Sequence, residues 1–132
     1  MIDVTAAIIE KDNKFLIAKR KEGKHLEHKW EFPGGKVEPS ETPEACLQRE
    51  LKEEFGIIAQ VDGFIGESLF DYGNRNIRLL GYLATYISGE FQLNDHEEIR
   101  WISKEEFGQF DFAPADLPLI EKVVGKSRKE RL

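Results

Sequence analysis

Short apolar runs alternate with polar turns along the chain, and the spacing of the apolar positions assigns most of the elements. Val4 to Ile9 is a β-branched and alanine-rich run, Lys11-Asp12-Asn13-Lys14 offers a turn, and Phe15 to Ala18 turns apolar again, which predicts a β-hairpin. Lys21 to Lys29 is polar and reads as a mobile loop. Trp30-Glu31-Phe32 reads as a short strand ended by Pro33-Gly34-Gly35. The periodicity then becomes helical: Thr42 suits an N-cap, Pro43 the first helical position and Gly56 the stop. Leu47, Leu51 and Phe55 recur every fourth residue as the stripe that helix should bury. Ile57 to Phe70 and Ile77 to Ile87 are strand-rich on either side of the turn Asp71-Tyr72-Gly73-Asn74, and Ile99 to Ile102 adds a further strand. Ser103 with Glu106 has the form of a capping box. Ala115 to Val124 reads as a closing helix with Leu117, Ile120, Val123 and Val124 facing inward. Strands mixed with two separated helices predict an α/β sandwich around a mixed sheet.

Composition narrows the class. The 132 residues are expected to form one domain spanning 1–132, and 40% hydrophobic with 33% charged residues is a globular rather than a disordered composition. A net charge of −6 argues against polymeric nucleic acid, which calls for a basic footprint. It leaves open a nucleotide whose phosphates a metal bridges to acidic side chains. The basic segment from Gly125 to Leu132 reads as a solvated tail on the last helix. A lone cysteine, Cys46, excludes an internal disulfide and fits a reducing compartment. The N-terminus lacks the pattern of a signal peptide and no apolar run approaches a membrane span. A cytoplasmic protein without a membrane partner, monomeric or homodimeric, is the expectation.

The chemistry concentrates between Gly34 and Ile57. At about 100° per residue, Glu50, Glu53 and Glu54 share an arc of roughly 100° on the helix, where like charges at these spacings repel. A glutamate-rich helix face is ordinarily just a solvated surface. Here, hard oxygen ligands that would select Mg²⁺, Mn²⁺ or Ca²⁺ follow a Gly-Gly turn that suits a phosphate-bearing ligand. Gly34 and Gly35 permit a close backbone approach that a side chain would block.

Gly35, Glu41, Arg49-Glu50-Leu51, Glu53-Glu54 and Gly56-Ile57 stand at the spacing of the Nudix box, which the chain resembles without a departure. Trp30 to Lys36 ahead of the box and Phe112-Ala113-Pro114-Ala115-Asp116 near the C-terminus resemble the MutT branch and bacterial CTP pyrophosphohydrolases. The resemblance implies a Nudix α/β/α sandwich with a mixed β-sheet. It also implies hydrolysis of a nucleoside triphosphate, ordinary or oxidised, to the monophosphate and pyrophosphate, with water as nucleophile. By the same resemblance Glu50, Glu53 and Glu54 hold Mg²⁺, with Mn²⁺ as a substitute and the Gly35 carbonyl as an extra ligand. Arg49 orients these acids through Glu41 or Glu53, and Lys36 reaches a phosphate.

Outside the box the resemblance implies a further carboxylate before the last strand, a metal ligand or base. Asp95 occupies that position, with Glu97 and Glu98 as alternatives, and relatives more often carry glutamate there. His96, His25 and His28 read as structural or solvated side chains, the last two within reach of a substrate. Arg20 matches an arginine that holds nucleotide phosphate or base, Arg75 matches a second one more loosely, and Phe32 is either a base-stacking wall or core. Asp116 stands where MutT carries asparagine. An ionised carboxylate only accepts, so it suits base edges offering N–H groups, as in cytosine, adenine or guanine, unless it merely caps the last helix. Two alternatives stay open: a hydrolase of dinucleotide polyphosphates, to which Tyr72 points, and a Nudix module that senses nucleotides without turnover.

Overall fold

The computed structural model describes residues 1–124. Strand β1 (Ile2–Lys11) turns through Asp12 and Asn13, both left-handed at φ 52° and 62°, into β2 (Lys14–Arg20). Two consecutive left-handed residues match the right-handed twist of a hairpin, and aspartate and asparagine tolerate that conformation. Next come β3 (Trp30–Glu31), α1 (Pro43–Phe55), β4 (Ile58–Asp71), β5 (Asn76–Ser88) and β6 (His96–Ile102). Two 3₁₀ segments, Lys104–Gln109 and Pro114–Asp116, lead to α2 (Leu117–Val123).

The sheet runs β3-β2-β1-β5-β4, with β6 on the other edge of β2; β1 and β5 are parallel and the other pairs antiparallel. Along β1 the side chains alternate between two cores. Ala6 and Ile8 face the layer of α2 and the 3₁₀ segments, with Phe107, Phe112 and Leu119. Ala7 and Ile9 face α1, with Leu47, Leu51 and Phe55. Burial on both faces accounts for the unbroken apolar run in β1. This is the expected Nudix α/β/α arrangement.

α1 begins and ends as its sequence dictates. Thr42 Oγ1 accepts from Ala45 N at 3.1 Å, and Gly56, at φ 71°, donates its N–H to Lys52 O. The Glu106 carboxylate accepts from Ser103 N at 2.8 Å, the expected capping contact, here on a 3₁₀ turn.

One feature departs from the hydropathy pattern. β2 stays beside β1 only near the hairpin turn, and residues 33–37 fill the space that it leaves. Ala7 N donates to Pro33 O at 2.7 Å, Thr5 N to Gly35 O at 2.8 Å, and Val37 N to Asp3 O at 2.9 Å. The glycine turn is therefore a paired edge of the sheet.

The closing helix also differs from expectation. Leu119 and Val123 are its buried positions and Ile120 is partly buried, while Leu117 and Val124 are exposed. The α-helix proper is only seven residues long, and the 3₁₀ turn before it rotates the phase, so the inward stripe starts at Ala115 and Leu119. The basic tail lies outside the described residues. Among the described residues no helix is long and apolar enough to cross a membrane.

Candidate active site

The acidic face of α1 is organised by one guanidinium. Arg49 grips Glu41 with two bonds, Nε to Oε2 at 2.6 Å and Nη2 to Oε1 at 3.0 Å. Its Nη1 donates to Glu50 Oε1 at 2.9 Å and to both Glu53 oxygens at 3.3 Å, while Nη2 reaches the Lys36 carbonyl at 3.3 Å. The expected pairing with Glu41 or Glu53 is thus both, with Glu50 added. The planar fork serves several carboxylates at once, which a lysine cannot do. Hydrogen bonding to Arg49 holds the Glu41 carboxyl down at about 2, and the same contact raises Arg49 above its ordinary value. Burial pushes Glu50 up, with Arg49 opposing.

Glu54 stands apart from this cluster. Its Oε2 is buried without a hydrogen-bond partner, and its carboxyl lies against that of Asp95. Burial, then Asp95, push Glu54 up to about 7, while the contacts from Glu54 and Lys24 hold Asp95 down. The loop carrying Asp95 is docked on the end of α1: Asn94 donates its side-chain amide to Glu53 O and its N–H to Glu54 O. Lys24 Nζ sits 3.0 Å from Asp95 Oδ1. The alternatives are engaged elsewhere, Glu97 with His28 at 2.9 Å and Glu98 with Arg100 at 2.6 Å. Asp95 is the acid brought to Glu54.

These oxygens are of the kind a hard divalent cation takes, although among the described residues the ligand atoms that lie within 4.8 Å of one another are those of Glu22, Glu27 and His28. Like-charged carboxyls are held together, and one buried oxygen has no protein donor. The glycines show how little space separates the pieces. A Cβ on Gly35 would lie 2.2 Å from Glu50 Cδ, and one on Gly34 would lie 1.9 Å from Thr5 O. The expected backbone ligand needs correction. The Gly35 carbonyl accepts from Thr5 N at 2.8 Å and Thr5 Oγ1 at 3.1 Å, so it faces β1. Strand alternation turns the carbonyls of Gly34 and Lys36 the other way, where Arg49 meets Lys36. By that alternation the Gly34 carbonyl, rather than that of Gly35, is turned to the side of Arg49. Cys46 is buried behind Gly35 with its thiol pushed up by burial, so it is no nucleophile.

A cavity of about 170 Å³ leads away from Gly34, Gly35 and Lys36 over Val4, Ile77 and Leu79 to Arg20, Glu31, Arg75 and Asp116. A second, of about 120 Å³, shares the far end and adds His25, Leu26 and Tyr72. The arginines, Lys36 and Asp116 are thus gathered on one cleft that ends where Glu50 rests on Gly35.

Several assignments change in detail. Arg20 is already engaged: Nε donates to His25 O at 2.6 Å and Nη1 to both Glu31 oxygens at 3.2 Å. Phe32 borders the first cavity yet belongs to the core. Its ring is buried against Phe107 and Phe112, because alternation along the strand sends it into the core with Trp30 and leaves Glu31 on the opposite side. Asp116 holds the N-cap position of α2, yet its side chain makes no cap; Oδ2 accepts from Phe32 N at 2.9 Å. Burial, reinforced by Glu31, raises Asp116 well above the carboxylate range. Burial thus moves Asp116 toward the neutral acid, which would have one O–H to give.

One residue of the cleft escapes sequence reasoning, and its partner lies outside both linings. Glu31 lines both cavities, and His96, buried rather than solvated, bonds it through Nε2 at 2.7 Å. The period-two pattern of Trp30-Glu31-Phe32, with one charge between two core aromatics, was the available signal for Glu31. Tyr72 is committed to the C-terminal segment, its hydroxyl accepting from Ala115 N at 2.9 Å, while the His25 ring packs edge-on against it.

The sandwich, the arginine-centred acids and the glycine edge define a Nudix hydrolase. The chain belongs to the NUDIX domain family, which matches residues 1–123. It is 42% identical over 121 residues to the CTP pyrophosphohydrolase of Escherichia coli (strain K12), covering 92% of this chain and 90% of that protein. It is 33% identical over 123 residues to the 8-oxo-dGTP diphosphatase of the same organism, covering 92% and 95%. The crystal structure of the MutT protein from Methanosarcina mazei Go1 superposes with a TM-score of 0.82 at 26% identity, covering 95% of this chain and 96% of that one.

Proposed function

We propose that this hydrolase converts a nucleoside triphosphate to the monophosphate and pyrophosphate, with cytidine or guanine nucleotides preferred. The supporting observation is the continuity of one cleft from Asp116 and Glu31 to Gly34 and Gly35, so that a base and a phosphate chain fit in line. The relatives named for CTP and for 8-oxo-dGTP support the same class. Asp116, pushed toward the neutral acid by burial, beside the Glu31 carboxyl suits a base edge with an acceptor next to an N–H. Cytosine presents N3 and its amino group; guanine presents O6 and N1–H.

Glu50, Glu53, Glu54 and Asp95 would hold Mg²⁺, or Mn²⁺ in its place, with the Gly34 carbonyl beside them. When bound, the ion supplies charge neutralisation for the phosphates and a lowered pKa for the attacking water. Arg49 keeps the acids aimed so that little reorganisation accompanies the reaction. Lys36 and Arg75, exposed at the cleft, meet the negative charge of the phosphates. Gly34 and Gly35 let the phosphate chain approach the backbone. The whole activity sits in a single domain, residues 1–132.

The test is a panel of ordinary and oxidised nucleotides assayed for pyrophosphate. Glu53→Gln and Glu54→Gln should each abolish Mg²⁺-dependent turnover while preserving the fold. Two mononucleotide products from a dinucleotide polyphosphate, with nucleoside triphosphates left intact, would replace this reading.

A further inference from the structure

His96 lies outside the chemistry described so far, yet it is one of the few polar side chains buried in the molecule, at 7% exposure. Its ring stacks on Phe55, the last residue of α1, with centroids 4.9 Å apart and planes 27° from parallel. Nε2 meets Glu31 Oε2 at 2.7 Å, and Nδ1 is buried without a partner. Burying an imidazole at the cost of one unmet nitrogen opposes folding, so the Glu31 contact has to matter to the molecule.

The backbone is shaped to make that contact. β2 and β6 pair in regular register from Phe15↔Ile102 to Lys19↔Glu98, then slip so that Arg20 lies opposite His96 and Glu97 is left over. Without this bulge Arg20 would oppose Glu97, and His96 would project from the other face of the sheet. The slip puts His96 on the α1 side with Arg20, and both bond one carboxylate, Arg20 through both Glu31 oxygens and His96 through Oε2. Glu31 is thereby held at the end of the cleft where Asp116 stands.

We propose that His96 is a positioning residue for base selection, fixing the Glu31 carboxylate so that Glu31 accepts an N–H of the nucleobase at a set place in the cleft. The proposal rests on the nucleotide reading above. Nε2 is the ring nitrogen that meets Glu31, and the ring is braced by Phe55 rather than by a second hydrogen bond.

The experiment compares the wild-type chain with His96→Leu and His96→Gln, since a glutamine amide places an N–H near the position of Nε2. Specificity is read as the ratio of kcat/KM for the best and worst of CTP, UTP, ATP and GTP. Base preference in binding is read by calorimetry with the four monophosphates. His96→Leu is expected to shrink the ratio about tenfold, through the best substrate, with the Mg²⁺ dependence unchanged. His96→Gln should restore most of it. In a Glu31→Gln background, His96→Leu should have no further effect on the ratio. Equal losses on all four nucleotides, an unchanged ratio, or a full additional effect in that background would each overturn the proposal. If His96→Leu does not fold, His96→Gln and Glu31→Gln decide it, by keeping and shrinking the ratio respectively. A wild-type chain that binds the monophosphates with a base preference yet cleaves no triphosphate would end the pyrophosphohydrolase reading and leave this one testable by binding. A chain with no base preference would overturn it.

Discussion

The Glu50 carboxyl occupies the space that a side chain on Gly35 would fill, with a Cβ there falling 2.2 Å from Glu50 Cδ. Gly35→Ala should therefore displace Glu50, a proposed metal ligand, while leaving the sheet pairing on its other side in place. A displacement of about 1 Å at a reacting centre costs about 100-fold in rate, and that loss is expected here with a melting temperature close to wild type. Gly34→Ala should behave in the opposite way. Its Cβ would strike the Thr5 backbone, which has no rotamer to yield, so the edge at residues 33–37 must separate from β1. The expected cost is about 3 kcal/mol of stability. Paired thermal melts and turnover assays check both, and equal phenotypes would contradict the assignment.

Arg49→Lys should lower metal affinity and turnover by about 10- to 100-fold, because one ammonium cannot serve Glu41, Glu50 and Glu53 together. Stability gives an independent readout. Glu41 titrates at about 2 in the fold against 4.5 in the unfolded chain, so the unfolded chain binds the proton first on acidification. This contribution is fully present above pH 4.5 and is lost as the pH falls toward 2. The stability gap between wild type and Arg49→Lys should therefore close across that window in urea titrations. A gap that is flat with pH would show that the Glu41 contact is not its source.

The elements that sequence patterning captured are those governed by neighbours in the chain. The Asp12-Asn13 turn, the Thr42 and Gly56 caps and the Leu47, Leu51, Phe55 stripe each follow from a few consecutive residues. The box acids were equally legible, because fixed helical spacing puts them on one face. What escaped depends on contacts across the chain. The pairing of Gly35 with Thr5 decides which glycine carbonyl faces the acids, and nothing near Gly35 in sequence reveals it. The bulge that turns His96 toward Glu31 is set by how β2 and β6 meet. For Asp116, the residue type alone suggested an acceptor, and only its burial, with Glu31 nearby, pushes it toward the neutral acid.

Metal binding should release a proton. Glu54 is pushed up to about 7 by burial and by Asp95, so the metal-free pair retains a proton at pH 6 that a divalent cation displaces. Calorimetric Mg²⁺ titrations in buffers of different ionisation enthalpy should find up to about one proton released at pH 6, falling toward none above pH 8. In the metal-free protein the sign for stability follows from the raised value. The folded chain keeps a proton that the unfolded chain loses, so stability declines as the pH rises from 4.5 to about 7. Mg²⁺ should cancel that decline. Asp95→Asn should reduce the proton release, and an unchanged release would place the proton elsewhere.

Asp116→Asn tests the protonation of the base end. The neutral acid has one carbonyl oxygen, held by Phe32 N–H at 2.9 Å, and one O–H, which an amide imitates with its oxygen and its NH₂. The base ranking should survive Asp116→Asn at neutral pH and collapse in Asp116→Ala. Stability should separate wild type from Asp116→Asn in a direction fixed by linkage. The raised value means that folding loses stability as the pH climbs from 3.8 toward the folded value, whereas asparagine does not titrate. The variant should thus gain on wild type as the pH increases, in melts from pH 4 to pH 9. An inverted base ranking in Asp116→Asn at neutral pH, with no pH-dependent gain, would mean that Asp116 reads the base as an anion after all.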